Sequence, residues 1–364
     1  MTTVVLSAGG TGGHLFPAQA LAAELIRRQR SVVLMTDARG RNYEQAFPGT
    51  SIATVPSASP SNTNAAGRVL VPLRILAGVV SGFLKLSKQK PAAVVGFGGY
   101  PSLPVMIAAW LAGLPTIIHE QNAILGRVNR LLATRMHAIA ASFPFARFAP
   151  KEVQRVQFTG NPVRPEAVAL AHAPYHSPAG DDPIRILVFG GSQGAKVFGD
   201  TVPAAMALLP NNVRVRLEIV QQSRPEDQGA VRSSYTAAGI FAEVQPFFND
   251  LPQRMAAAHL VICRSGASTV SELAVIGRPS ILVPYPFATD DHQTANATVL
   301  TKAGAAWLVR QRDLTPQMLS MLLAEILANP NELARRAEAA ASLGRPDAAQ
   351  RLADLVDELC AGAA

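Results

Sequence analysis

The sequence predicts an α/β protein built of two similar units in tandem, each a parallel sheet covered by helices on both faces. Three observations predict this. Short aliphatic runs alternate with helical apolar patterns along most of the chain. A strand, a glycine loop and a helix at the N-terminus return in the same order at residue 184. Between the two copies, residues 171–183 are rich in Pro, Ala, His and Asp with little periodicity, and read as a linker or exposed loop.

Taken in order, the first strand is Val4-Val5-Leu6-Ser7, and it stops at Ala8-Gly9-Gly10-Thr11-Gly12-Gly13-His14. Leu15, Ala18, Leu21, Ala22 and Leu25 then recur at three- and four-residue steps, the pattern of a helix. Glycines let the backbone turn sharply and approach a ligand closely. The free N–H groups of the new helix suit anionic oxygen. By itself the stretch reads either as a strand-to-helix turn with a surface histidine or as an anion cradle with an imidazole at its mouth. Residues 32–35, 52–55, 93–95, 116–118 and 138–140 read as the further buried strands of this half. A second glycine loop, Gly96-Phe97-Gly98-Gly99-Tyr100-Pro101-Ser102, follows one of them. His119-Glu120-Gln121-Asn122 follows another. Loops after strand C-termini are where open α/β sheets bind ligands.

In the second half, residues 184–189 form a strand, Gly190-Gly191-Ser192-Gln193-Gly194 a loop, and Ala195 begins a helix. Residues 213–220, 241–244, 259–263, 280–283 and 305–309 read as strands. From residue 315 to 361 the pattern is helical, with breaks near Pro330 and Pro346. Residues 69–88 form a separate amphipathic helix. At ~100° per residue, Arg74, Lys85 and Lys88 gather on one side, and Leu73, Leu76, Val80, Phe83 and Leu84 cover most of the other. That helix either lies on the sheet in the ordinary way or touches an anionic membrane through its apolar face.

Composition narrows the function. A chain of 364 residues suits two domains of ~100–200 residues. With 49% hydrophobic and 16% charged residues, it is not disordered. A net charge of +8 points to an anionic partner. Aromatics are only 6% and are not interleaved with Lys/Arg runs, which counts against nucleic acid. Cys263 and Cys360 lack metal spacing, so a reduced cytoplasmic setting is expected. The N-terminus has no basic n-region, so no signal peptide is expected. No run reaches the ~18–20 apolar residues of a membrane-spanning helix.

None of the glycine loops matches the dinucleotide or P-loop fingerprints. Asp37, which ends the second strand, therefore reads as a surface or loop residue, and a dehydrogenase is disfavoured. Asp181-Asp182 and Asp290-Asp291 do not form a metal ligand set, so neither metal nor cofactor is expected. Arg264-Ser265-Gly266-Ala267-Ser268-Thr269-Val270-Ser271-Glu272 follows a strand and opens a helix near Ser268. It reads either as a capping box, Ser268 with Ser271 or Glu272, or as a phosphate cradle followed by a ribose-binding carboxylate. Asp290-Asp291-His292-Gln293-Thr294-Ala295-Asn296 lies on the same sheet edge, and its amides suit sugar hydroxyls. Arg164, in Asn161-Pro162-Val163-Arg164, reads as a phosphate partner or as an ordinary hinge residue.

Together, Gly9 to Phe16 with Pro17-Ala18, Gly98-Gly99-Tyr100-Pro101-Ser102, His119-Glu120-Gln121-Asn122, Gly160-Asn161-Pro162-Val163-Arg164, the 190–194 loop, the 264–272 run and His292-Gln293-Thr294-Ala295-Asn296 closely resemble the MurG family. These bacterial enzymes add N-acetylglucosamine (GlcNAc) to undecaprenyl-pyrophosphoryl-MurNAc-pentapeptide in peptidoglycan synthesis. The resemblance spans nearly the whole chain. It implies a GT-B fold, two Rossmann-like domains whose parallel sheets face across a cleft. Residues 1–163 would form the acceptor and membrane-side domain, with a C-terminal helix at about 347–364 packing back on it, and 164–346 the UDP-GlcNAc-binding domain.

The resemblance also implies roles. Ser192 and Arg164 would contact the donor diphosphate and Glu272 the ribose. Ala267, Ser268, Thr269, Val270 and Ser271 would line the nucleotide. Phe248, where the family more often has isoleucine, would meet uracil through its main chain. Gln293 would hold GlcNAc hydroxyls, and Thr11, Gly12, Gly13 and Asn122 would close over the sugar. Gly10, Gly98, Gly99 and Tyr100 would receive the acceptor pyrophosphate. An imidazole titrates near neutrality, so His14 suits the general base of an inverting, β-1,4-forming transfer. Because the acceptor is a lipid, the membrane reading of Leu73, Leu76, Val80, Phe83, Lys85 and Lys88 gains weight. The expected location is peripheral, on the cytoplasmic face of the inner membrane, with cell-wall synthesis proteins as possible partners. The competing readings are another GT-B enzyme using UDP-GlcNAc, namely a soluble-acceptor transferase or a 2-epimerase, and a catalytically dead sugar-nucleotide binding protein.

Overall fold

The computed structural model describes residues 2–9, 12–38, 45–58, 70–171, 173–191 and 194–362. The chain divides into two compact units, Met1–Arg164 with Pro346–Ala364, and Pro165–Arg345.

In the first unit the elements run β1 (Thr3–Ser7), α1 (Gly12–Arg27), β2 (Ser31–Thr36), β3 (Ser51–Thr54), α2 (Val71–Gln89), β4 (Ala93–Gly96), α3 (Gly99–Leu111), β5 (Thr116–Glu120), α4 (Arg127–Leu132), β6 (Ala138–Ala141) and β7 (Val156–Phe158). All seven strands are parallel, in the order β3-β2-β1-β4-β5-β6-β7. β1 lies centrally, with Val4 paired to Val32 on one side and Ala93 on the other. Strands buried on both faces must be apolar throughout, which is why the short Val/Ile/Ala runs were visible in the sequence. β7 is a three-residue strand with two exposed positions, and no apolar run marks it.

The helical apolar positions Leu15, Ala18, Leu21, Ala22 and Leu25 all pack into the core on one face of this sheet. The last helix of the chain, α14 (Ala348–Gly362), joins the same core through Leu352, Ala353, Leu355 and Val356. Arg28 ties it to α1 by ion pairs to Asp354 (2.7 Å) and Asp357 (3.0 Å), and Arg30 adds a second bond to Asp357 (2.7 Å).

On the other face α2 packs against α3. Its buried positions are Val71, Gly78, Gly82 and Leu86. A Cβ on Gly78 would lie 2.1 Å from the Pro56 carbonyl oxygen and 2.8 Å from the Pro104 Cβ, so only glycine permits this approach. The helix therefore does not turn its apolar side to the sheet. Leu73, Leu76 and Leu84 are 60–62% exposed, with Val80 and Phe83 exposed beside them. Leu73, Leu76, Val80 and Leu84 line a shallow groove with Lys85 and Lys88.

In the second unit the elements are α5 (Pro165–Val168), β8 (Ile184–Phe189), α6 (Lys196–Ala207), α7 (Asn211–Arg214), β9 (Leu217–Gln222), α8 (Gln228–Ala237), β10 (Phe241–Gln245), α9 (Leu251–Ala257), β11 (Leu260–Cys263), α10 (Ala267–Ile276), β12 (Ser280–Leu282), α11 (His292–Lys302), β13 (Ala306–Leu308), α12 (Pro316–Leu327) and α13 (Pro330–Leu343). The six strands are again all parallel, β10-β9-β8-β11-β12-β13. Two expectations are corrected. Residues 213–216, read as the start of a strand, are not strand: 213 and 214 belong to the helical turn Asn211–Arg214 that follows Pro210, and pairing with β8 begins only at Leu217. Residues 173–183 are an irregular, mostly exposed loop, but they do not link the units, whose boundary falls between Arg164 and Pro165. Tyr175 joins the core and its hydroxyl donates to the His259 carbonyl (2.9 Å), and Ser177 donates to the Pro330 carbonyl (2.7 Å).

Candidate active site

In a doubly wound sheet the ligand crevice opens where the strand order reverses, beyond the strand C-termini. In the first unit that point lies between β1 and β4, and in the second between β8 and β11. The loops that leave these four strands are the glycine loops and the 264–267 run singled out in the sequence.

In the first unit His14 is the third residue of α1 and half-buried. Its ring lies against the second glycine loop, since a Cβ on Gly99 would sit 3.3 Å from its Nε2. Gly98 and Gly99 both take left-handed backbone angles, φ +81° and +72°, which only glycine adopts without strain. They start α3, so the unpaired N–H groups of its first turn lie next to the imidazole. Tyr100 is half-buried in that turn. Gly12 and Gly13 form the first turn of α1. Gly10 and Thr11 lie outside the described residues.

The 119–122 run reaches the same place from β5. His119 is fully buried, and burial pushes its pKa down to about 4. Gln121 is 2% exposed and accepts from or donates to His14, His119 and Phe97. Glu120 is a buried carboxylate that organises the loop. One oxygen accepts from the Asn122 main chain (3.0 Å) and side chain (3.1 Å), and the other from Gly126 N–H (2.8 Å) and Asn129 Nδ2 (2.8 Å). Asn122 is thus held by its neighbour two residues back. Glu120 and Gln121 were not singled out individually from sequence. Their signal was an uninterrupted polar run directly after a buried strand. Arg164 ends the first unit, with its guanidinium 5.7 Å from the centre of the Phe16 ring. Asp37 lies in the loop after β2, buried rather than at the surface.

In the second unit Gly190 admits no side chain, because a Cβ would fall 2.4 Å from the Ala195 nitrogen. Ser192 and Gln193 lie outside the described residues. The capping box expected at Ser268 does not form. The helix starts one residue earlier, at Ala267, with Gly266 as its cap and no side-chain cap bond. Ser271 Oγ donates instead to the Ala267 carbonyl (2.9 Å), and Ser268 Oγ is buried with no partner among the described residues. Thr269 is half-buried and Val270 buried in the same first turns. Glu272 is 3% exposed on this helix. Gln293 is fixed at both ends: its Oε1 accepts from Tyr285 N–H (2.9 Å) and its carbonyl from Ser265 Oγ (2.8 Å). Arg264 braces the strand ends, donating to the Val283 and Pro284 carbonyls (3.1 Å each) and to Gln311 (2.6 Å). Phe248 is buried under the Arg254 guanidinium, 4.4 Å from its ring centre.

Two family models match this chain, the glycosyltransferase family 28 N-terminal domain over residues 4–141 and the glycosyltransferase family 28 C-terminal domain over residues 185–352. Together with two parallel-sheet α/β units, they define a glycosyltransferase of the GT-B class. A UDP-N-acetylglucosamine–N-acetylmuramyl-(pentapeptide) pyrophosphoryl-undecaprenol N-acetylglucosamine transferase of Chelativorans sp. (strain BNC1) is 51% identical over 99% of this chain and 96% of its own length. The transferase of the same name from Rhodospirillum centenum is 50% identical over 98% of this chain and 94% of its own. The crystal structure of Acinetobacter baumannii MurG superposes with a TM-score of 0.82 at 32% identity, covering 98% of this chain and all of that one. The chain belongs to the family of these transferases, the MurG family within glycosyltransferase family 28. A UDP-GlcNAc 2-epimerase from Neisseria meningitidis, 13% identical with a TM-score of 0.68, shares the fold alone.

Proposed function

We propose that this protein transfers GlcNAc from UDP-GlcNAc to the 4-hydroxyl of MurNAc in undecaprenyl-pyrophosphoryl-MurNAc-pentapeptide, with inversion to a β-1,4 link. The observation that carries this reading is 51% identity, over 99% of the chain, to a transferase named for that reaction. The roles are divided between the units. The second holds the donor: Ser268 and the first turn of α10 face the nucleotide, Glu272 accepts from the ribose hydroxyls, and Gln293 holds the sugar. Phe248 meets the uracil, and Ser192 and Arg164 meet the diphosphate. A helix start and a guanidinium stabilise the charge that grows on the departing UDP. The first unit presents the acceptor. The first turn of α3, with Gly98, Gly99 and Tyr100, receives its pyrophosphate with Gly10. Thr11, Gly12, Gly13 and Asn122 serve the transferred sugar. His14 takes the proton of the attacking hydroxyl. The half-buried imidazole beside two side-chain-free residues supports that role, since it leaves room for a sugar hydroxyl.

The acceptor is a lipid, and the outward leucines of α2 flanked by Lys85 and Lys88 support peripheral docking on an anionic bilayer. The location that fits is the cytoplasmic face of the inner membrane. Among the described residues no helix is long and apolar enough to cross a membrane.

The test is transfer of radiolabelled GlcNAc from UDP-GlcNAc to a short-chain acceptor analogue. Wild-type protein should form the disaccharide product, and His14→Ala should lower kcat by on the order of 10²-fold or more with donor binding kept. Conversion of UDP-GlcNAc incubated alone, without acceptor, would replace this reading by an epimerase.

A further inference from the structure

We propose that Gln121 is a positioning residue that sets the tautomer of His14, so that the neutral imidazole carries its proton on Nδ1 and its lone pair on Nε2. The inference deepens the assignment of His14 as the base and rests on it.

The chain of donors and acceptors can be followed from its buried end. His119 Nε2 lies 3.2 Å from the Gly160 carbonyl oxygen. A carbonyl only accepts, so this nitrogen carries the proton. His119 is fully buried and neutral, so its Nδ1 is a lone pair. Gln121 Nε2 stands 3.0 Å from that lone pair, 3.0 Å from the Phe97 carbonyl oxygen and 3.3 Å from the His119 carbonyl oxygen. Three acceptors surround one end of the amide, so that end is the NH2 group. The reversed amide would set an oxygen against two carbonyls. The remaining end, Oε1, lies 3.1 Å from His14 Nδ1 and only accepts. His14 Nδ1 must therefore donate.

The other nitrogen of His14, Nε2, is then the basic one, and it is the edge that lies beside Gly99. Tautomer choice governs whether a histidine base works, because a ring held the wrong way presents N–H to the hydroxyl it should deprotonate. Gln121 does this without charge. A carboxylate in its place would also favour the imidazolium, whereas a neutral amide selects one neutral form.

The experiment uses the full-length protein labelled with 15N-histidine and reads the His14 tautomer by two-bond proton–nitrogen correlation at a pH where the ring is neutral. Wild type should show Nδ1–H. In Gln121→Met the Nε2–H form should grow in, kcat should fall about 10- to 100-fold, and KM for UDP-GlcNAc should hold. The same substitution added to His14→Ala should lower kcat no further. A wild-type His14 in the Nε2–H form would overturn the proposal, and this reading needs no variant to fold. So would a Gln121→Met protein that keeps the Nδ1–H form, or losses that multiply in the double variant. If His14→Ala alone retained normal kcat, the base assignment would fall, while the spectrum would still decide the tautomer.

Discussion

At the scale of single residues, the site is built by groups that have nowhere else to turn. His119 is the clearest case. Its pKa falls from 6.5 to about 4 because burial disfavours the charged ring. The unfolded chain therefore binds a proton below pH 6.5 that the folded chain refuses until about pH 4. Stability from this group is complete above pH 6.5 and is lost as the pH falls through that window, by about 3 kcal/mol in all. Urea unfolding measured above pH 6.5 and again near pH 4 should show the loss, and His119→Asn should flatten the difference. An unchanged slope in that variant would assign the acid sensitivity elsewhere. The individual residues were only partly legible beforehand. Glycines at 98, 99 and 190 announce themselves, since a left-handed turn favours glycine and a 2.4 Å approach admits no Cβ. Gln121 and Glu120 do not. Their importance comes from His14, Phe97 and Asn129, which lie elsewhere in the sequence and meet them only in the fold.

At the scale of elements, period and burial decide what a sequence reveals. The central strands were readable because burial on both faces demands unbroken aliphatic runs. β7 was not, because a short edge strand carries no such pattern. The capping-box spacing at Ser268 misled for a related reason: Gly266 in an extended conformation caps the helix one residue early and leaves the serine inside the first turn. For α2 the sequence showed two faces and no way to choose which was buried. The choice was made by Gly78 and Gly82, which sit between the two and allow close packing on α3. If the exposed row docks on lipid, Phe83→Asp/Lys85→Glu/Lys88→Glu should abolish sedimentation with anionic vesicles while leaving the folded far-UV spectrum intact. Undiminished vesicle binding would move the contact to another surface.

At the scale of the whole molecule, the chain is two copies of one architecture with the C-terminal segment returned to the first. Strand order around β1 repeats around β8, which is why the internal repeat was readable from two glycine loops alone. The return of α14 follows from its apolar stripe, because Leu352, Leu355 and Val356 are buried beside the α1 core. Leu352→Ala should therefore cost the first unit about 3 kcal/mol. Limited proteolysis should cut faster within residues 1–164 than within 165–345. An unfolding midpoint equal to wild type would show that the packing of Leu352 does not hold the first unit together.

The glycine-lined inner side of α2 has a consequence for the protein away from any bilayer. A helix clamped this tightly resists rolling its leucines inward, where they would be shielded from water. The protein carries a greasy plate, which predisposes it to stick to its own copies when concentrated. Mild detergent, by covering the plate, is the additive to choose for keeping it dispersed.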